Sequence, residues 1–369
     1  MKAKTIVVKL GTSSLTSGSN KLDTACMMEI VRAVVALKKQ GHKVVVVSSG
    51  AIAAGRESLG YPNLPKTVSF KQMLAAVGQN YLMSKWQQLF EIYGLHIGQV
   101  LLTRADLEDR ERYLNAKDAL NAILSTDIIP IINENDAVAI AEIKVGDNDN
   151  LSARAAILVE ADLLILLTDQ KGLYTADPRS DKDAKLIRVV EKITPEIKAL
   201  AGDSVSGLGT GGMATKLQAA EIATRSGIDV VIASCKEPSI VLDIINGEFE
   251  GTYFKGETSP LEARKSWILA GHKRSKDCFL QVDDGASKVL VEKNSSLLPK
   301  GIVNVSGEFL RGDVVSVVNS SMHEIARGIV RYNGDELRKI IGHNSDEIGT
   351  ILGYEHGHVA IHYDDLVLV

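Results

Sequence analysis

Six short apolar runs punctuate the first two thirds of the chain: KTIVVKL (4–10), KVVVVS (43–48), IGQVLLT (97–103), DIIPIIN (127–133), LLILLT (163–168) and DVVIAS (229–234). Each is β-branched or Leu-rich and ends abruptly in polar residues, the pattern of a strand buried on both faces. Between them lie TACMMEIVRAVVALKKQG (24–41), SFKQMLAAVGQNYLMSKWQQLFEIYG (69–94), ERYLNAKDALNAILS (111–125) and MATKLQAAEIATRSG (213–227), which repeat apolar positions at helical spacing. Several of these end in glycine, a helix stop signal. Strand–helix alternation of this kind predicts a mostly parallel open sheet covered by helices on both faces, a three-layer α/β sandwich.

The pattern changes after about residue 260. LEARKSWIL (261–269) reads as a connecting helix. CFLQV, KVLVEK, GDVVSVV, IARGIVRY and HVAIHY then follow as short strand-like runs separated by Gly, Asn, Asp and Ser, predicting a small β-rich second domain. The expected division is 1–258, a linker at 259–275, and 276–369.

Composition changes this picture little. With 45% hydrophobic and 24% charged residues over 369 positions, a large core is available. A net charge of −4 gives no reason to expect a nucleic acid or a membrane surface as partner. The opening MKAKTIVVKLGTSS is too short in apolar residues for a signal peptide, and no run approaches the ~20 apolar residues of a membrane helix. Cys26, Cys235 and Cys278 are far apart and form no CxxC motif, so free thiols in a reducing cytoplasm are expected.

The chemistry collects where predicted strands end. VVKLGTSS, VVSSGAIAAG, INENDAV and LLTDQKGLY follow the first, second, fourth and fifth runs. In a doubly wound sheet such turns share the carboxyl edge, where ligands bind. Lys9 is either a strand-end lysine reaching solvent or a cation held over Gly11, whose bare backbone lets a phosphate approach. Ser48 or Ser49 either caps the following helix or marks its N-terminus as an anion site. Gly207, Gly209 and Gly212 fit G-x-G-x-x-G, but no strand precedes them, and Met213 stands where a Walker A lysine should be. What remains is a glycine loop opening a helix, with Lys216 in its first turn, where a polyphosphate would offset the unfavourable dipole.

Asp147, Asn148, Asp149 and Asn150 form one unbroken polar run that does not belong in a hydrophobic core. An EF-hand loop counted from Asp147 fails, because Leu151 and Ser152 occupy its fifth and sixth positions. Asn150 or Asp149 could cap the helix LSARAAILVEA, and the surplus side chains suggest a ligand bearing amine and carboxylate groups. His356 and His358 would share a strand face, either as surface histidines or as a metal pair.

Together, VVKLGTS, SSGAIAAGR, INENDAV, KVGDNDNLSA, LLTDQKGLYTADPR and SGLGTGGMATK resemble the amino-acid kinase family, and the tail resembles a PUA domain. The similarity runs in order along essentially the whole chain and is strongest to members that act on glutamate. It implies ATP-dependent phosphorylation of the γ-carboxylate of L-glutamate, the first step of proline synthesis, with Mg²⁺ on the phosphates. It also implies proline as an inhibitor and a homodimer or tetramer. By motif position, Lys9 and Thr210, Gly211, Gly212, Met213, Ala214, Thr215 and Lys216 would bind ATP, with Thr168 and Asp169 beside the nucleotide. Ser49, Asp136 and Asn148 would hold glutamate, Asp136 through its α-amino group and Asn148 by donating to a carboxylate. Asp149 would orient the two lysines.

Two rivals stand beside this. Another kinase of the family could act on acetylglutamate, aspartate or a nucleotide; the tail and KVGDNDN argue against that. PUA domains also occur in RNA-modifying enzymes. From residue 276 onward, however, nine Lys and Arg face fourteen Asp and Glu, the opposite of an RNA-binding surface.

Overall fold

The structure is a computed structural model that describes residues 4–60, 63–65, 67–139, 148–201, 212–257, 262, 265, 268–269, 278–293 and 295–369. The chain divides into two compact units, residues 1–259 and 260–369.

The first unit is built on an eight-stranded sheet. Its strands are β1 (Thr5–Leu10), β2 (Lys43–Ser48), β3 (Ile97–Leu102), β4 (Ile129–Glu134), β5 (Leu163–Thr168), β6 (Val189–Val190), β7 (Asp229–Ser234) and β8 (Gly251–Phe254). They lie in the order β3-β4-β2-β1-β5-β7-β8-β6. All neighbours are parallel except β7 and β8. The six apolar runs are the six parallel strands β1 to β5 and β7. The sequence reading missed β6 and β8, which add two and four residues at one edge.

Side chains alternate across the sheet, and this period of two decides what each strand end can reach. Ile6, Val8 and Leu10 pack on one face with Val44, Val46, Ile131, Ile165 and Leu167. Helices α2 (Thr24–Lys39), α3 (Ala51–Leu59), α4 (Val68–Glu91) and α10 (Ile240–Asn246) cover that face. Val7, Val45, Val47, Ile132, Leu164 and Leu166 pack on the other face. It is covered by α5 (Arg104–Glu108), α6 (Arg110–Leu124), α7 (Asp149–Leu158) and α9 (Met213–Arg225). Two further short helices are α1 (Thr12–Thr16) and α8 (Pro195–Ala199). Each fully buried Val, Leu or Ile contributes roughly 1.5–3 kcal/mol, so the sandwich is held by the strand residues themselves.

Helix α4 buries Leu74, Ala75, Gly78, Gln79, Leu82, Met83, Trp86, Leu89 and Phe90, a stripe at i, i+3 and i+4 spacing. It crosses α3 at unusually close range. A Cβ on Gly78 would stand 1.8 Å from the Ala51 carbonyl oxygen, and one on Gly55 2.0 Å from that of Leu74. Only glycine at both positions permits this approach.

The second unit carries a five-stranded sheet: β9 (Phe279–Val282), β10 (Ile302–Ser306), β11 (Val314–Val318), β12 (Glu324–Ile329) and β13 (Leu366–Leu368), in the order β10-β9-β11-β12-β13. Leu280, Val282, Val315, Val317, Tyr332 and Ile361 are among its core. Three expectations need correction here. KVLVEK is not a strand but part of helix α11 (Asp284–Lys293), in which Leu290 is buried while Val289 and Val291 are exposed. Ala286 packs against the same core, so the true spacing is four; Asp283 accepts from the Ala286 N–H at 2.6 Å and caps the helix. HVAIHY forms only an isolated bridge, Leu297 with Ile361, and the chain pairs later, at β13. His356 and His358 therefore share no strand face; His356 lies against the rings of Tyr332 and Tyr354. Most of LEARKSWIL lies outside the described residues. Ile268, which is described, is buried against Val314 and Ile329.

Candidate active site

The odd-numbered face of β1 carries Val7 and then Lys9, so Lys9 points toward α7 and α9. It does not reach solvent: only 3% of it is exposed. Its ammonium group donates to Asp149 Oδ1. Asp149 is the first residue of α7 and is fully buried. Lys216, in the first turn of α9, donates to Asp149 Oδ2 at 3.1 Å, and the Thr215 hydroxyl lies 2.9 Å from the same oxygen. That hydroxyl has a second acceptor, the Gly212 carbonyl, at 2.8 Å.

The expectation that the 147–150 run stays out of the core is thus overturned for Asn148 and Asp149. A buried charge is tolerated when paired and hydrogen-bonded, and among these three groups one carboxylate serves two ammonium ions. Its position at the N-terminus of α7 adds favourable dipole energy, and it offsets the cost of Lys216 at the positive end of α9. Gly212, the N-cap of α9, offers no side-chain cap, and nothing would meet a Cβ there within 4 Å. The first N–H groups of a helix have no partner within the helix, so this end of α9 is of the kind that binds anions. Gly11 lies close to Lys9; a Cβ there would stand 3.8 Å from Nζ.

The opposite face carries a second polar cluster. Ser48, Asn133 and Gln79 are all buried. Asn148 is the N-cap of α7 but makes no side-chain cap; its amide crosses the sheet edge instead. It donates to the Ser48 carbonyl at 2.9 Å and to Asn133 Oδ1 at 2.7 Å. Both of its amide protons are spent, so Asn148 offers a ligand its carbonyl oxygen rather than a donor. Asn133 donates in turn to Gln79 Oε1 at 2.7 Å. Neither serine caps α3. The cap position is Gly50 at φ 98°, a conformation suited to glycine, and Ser48 Oγ accepts from the Trp86 indole at 3.2 Å. Ser49 is buried beside it, its N–H donating to the Leu10 carbonyl at 3.1 Å.

Beside this cluster lies a cavity of about 320 Å³ whose lining includes Ala51, Gln79, Glu134 and Asp136. Thr168 ends β5, buried, with its hydroxyl 3.0 Å from Asp169 Oδ1; Asp169 is exposed. Met213 and Ala214 are half-buried at the start of α9. Thr210 and Gly211 lie outside the described residues. The sequence reading did not single out Gln79, Asn133 or Glu134. The signal for Gln79 was there: a polar residue on the buried stripe of α4.

The profile of the amino acid kinase family matches residues 4–234, and that of the PUA domain residues 279–352. Glutamate 5-kinase of Escherichia fergusonii is 58% identical over 365 residues, covering 99% of this chain and 99% of the relative. Glutamate 5-kinase of Escherichia coli strain K12 / DH10B gives the same figures. Among solved structures, carbamate kinase from Giardia lamblia bound to AMP-PNP overlays with a TM-score of 0.49 at 19% identity, covering 69% of this chain and 99% of that one.

Proposed function

The chain belongs to the amino acid kinase family, and we propose that it works there as a glutamate 5-kinase, transferring the γ-phosphoryl group of ATP to the γ-carboxylate of L-glutamate. The product is L-glutamyl 5-phosphate, which enters proline synthesis. The observation that carries the reading is the buried Lys9–Asp149–Lys216 cluster at the carboxyl edge of the sheet.

The division of labour follows from the two faces. A γ-carboxylate with an ordinary pKa of ~4.3 is already an anion at neutral pH, so no general base is needed. The barrier is electrostatic: one anion must approach another. Lys9 and Lys216 neutralise charge on the transferred group, and Asp149 fixes both ammonium ions so that little reorganisation accompanies transfer. Thr210 to Lys216, with Thr168 and Asp169, take the nucleotide. Ser49, Asp136 and Asn148 take glutamate, Asp136 pairing with the α-ammonium group. The Asp149 oxygens already serve Lys9, Lys216 and Thr215. Among the described residues no group of three His, Cys, Asp or Glu could hold a metal ion. Mg²⁺, when bound with ATP, would supply positive charge that offsets the charge of the phosphates.

Inhibition by proline and a dimeric or tetrameric assembly belong to the same reading. So does a cytoplasmic setting, supported by three free cysteines. No described helix is long and apolar enough to cross a membrane.

Replacing Lys216 by Ala tests the assignment. The expected result is a fall in kcat of roughly two orders of magnitude or more in a folded variant. An unchanged kcat would remove Lys216 from the chemistry.

A further inference from the structure

We propose that Gln79 is a specificity-determining residue that holds the α-carboxylate of the amino-acid substrate through its side-chain Nε2, a role that rests on the glutamate reading above.

Two backbone groups that cannot rotate set the orientation of the amides. The Glu134 N–H donates to Asn133 Oδ1 at 2.9 Å, and the Ser48 carbonyl accepts from Asn148 Nδ2 at 2.9 Å. The first fixes the Asn133 amide with its oxygen toward the Glu134 N–H, where it also accepts from Asn148 Nδ2 at 2.7 Å. Asn133 Nδ2 must then face Gln79 and donates to Oε1 at 2.7 Å. A reversed Gln79 amide would set two donors against each other. The three-amide chain, pinned at two points by backbone, thus leaves a single orientation for Gln79, with Nε2 on the far side.

That nitrogen is buried and meets no protein acceptor among the described residues, while Gln79 as a whole is only 9% exposed. An unmatched buried donor is expensive, and its persistence points to a ligand acceptor. Gln79 lines the 320 Å³ cavity together with Asn80, Gln99, Glu134, Asn135 and Asp136. Among the described residues no Lys, Arg or His lines it, so of these only neutral donors can hold a carboxylate there. The α-carbon of an amino acid carries two groups of opposite charge. Its ammonium suits Glu134 and Asp136, and its carboxylate suits Gln79 Nε2. Ala51, the first residue of α3, also lines the cavity. It brings the positive end of that nine-residue helix to the same place. Gly78 sets the distance, because its missing side chain lets α4 press against the Ala51 carbonyl.

The test is Gln79→Glu, which keeps an oxygen for Asn133 Nδ2 and replaces the Nε2 donor by an acceptor. The full-length enzyme is assayed with L-glutamate, with its α-amide, and with 4-aminobutyrate, which is glutamate without the α-carboxylate; where turnover is too slow, the inhibition constant against glutamate is used. The expected result is a fall of about 10- to 100-fold in kcat/KM for L-glutamate, mostly in KM. The constant for 4-aminobutyrate stays unchanged, the α-amide gains relative to glutamate, and the KM for ATP is unaffected. Equal losses on all three acceptors would mean a structural role and overturn the proposal, as would an unchanged glutamate KM. Should Gln79→Glu fail to fold, Asn133→Asp carries the test. It keeps Oδ1 for the Glu134 N–H and draws Gln79 Nε2 away from the cavity, so the same selectivity shift is expected, and a uniform loss overturns the proposal. The wild-type enzyme on L-glutamate separates the two levels: no turnover there would sink the glutamate reading, whereas the variant ratios judge Gln79.

Discussion

Asp149→Asn should damage folding and catalysis together, whereas Lys216→Met should separate them. Asp149 is fully buried and accepts from Lys9 and Lys216, which are 3% and 5% exposed. The asparagine keeps the shape but removes the anion, leaving two buried ammonium ions close together. Removing one partner of a buried ion pair costs about 3–5 kcal/mol. For a unit of this size each kcal/mol moves the melting temperature by about 2–4 °C, so a drop of roughly 6–20 °C is expected. Lys216→Met removes a cation instead. Lys9 and Asp149 still pair, and methionine fills a similar volume, so the melting temperature should change by less than about 3 °C. Differential scanning calorimetry without nucleotide gives the thermal numbers, and steady-state ADP release gives kcat. Added ATP should recover more stability in Asp149→Asn than in the wild type, because a bound polyanion supplies the missing negative charge. An Asp149→Asn protein melting within about 2 °C of the wild type would refute the claim that this carboxylate holds the two lysines.

Other outcomes follow from the same geometry. Asp136→Ala should raise the glutamate KM by about 10- to 100-fold and leave the ATP KM nearly intact, since Asp136 lines the cavity and not the lysine cluster; an ATP KM that rose equally would mean the two faces are not separate sites. Gly78→Ala should destabilise by about 1–3 kcal/mol or more, because its Cβ would stand 1.8 Å from a backbone oxygen; a melting curve matching the wild type would contradict that crossing. A chain ending at Ser259 should fold by circular dichroism and phosphorylate glutamate, because the candidate site residues, where described, all belong to the first unit. A folded truncation without turnover would give the tail a catalytic role.

The six parallel strands were legible because strands buried on both faces are continuous apolar runs, which little else in a globular chain produces. β6 and β8 were not legible, being two and four residues at a sheet edge. KVLVEK misled because two exposed valines flank Leu290 and imitate alternation. At the site, the residues around Lys9 left two readings open, a lysine reaching solvent or a cation held over Gly11 for a phosphate. What turns it inward is Asp149, 140 residues away, and no local pattern carries that pairing. The rule that four polar residues stay outside a core failed at Asn148 and Asp149 for the same reason: their burial is compensated by distant partners. Gln79 was visible as a polar residue on an apolar stripe, but its purpose required Asn133 and the Glu134 N–H, which fix its orientation.

The γ-carboxylate of L-glutamate is the proposed phosphoryl acceptor. An acyl phosphate is captured by hydroxylamine as a hydroxamate, so the direct measurement is hydroxamate formed against ADP released. The enzyme is supplied with ATP, Mg²⁺ and L-glutamate, then in turn with N-acetylglutamate, aspartate and a nucleoside monophosphate. γ-Glutamyl hydroxamate is expected in step with ADP for L-glutamate, and little of either for the other acceptors. ADP release without hydroxamate, or efficient phosphorylation of another acceptor in preference to glutamate, would contradict it.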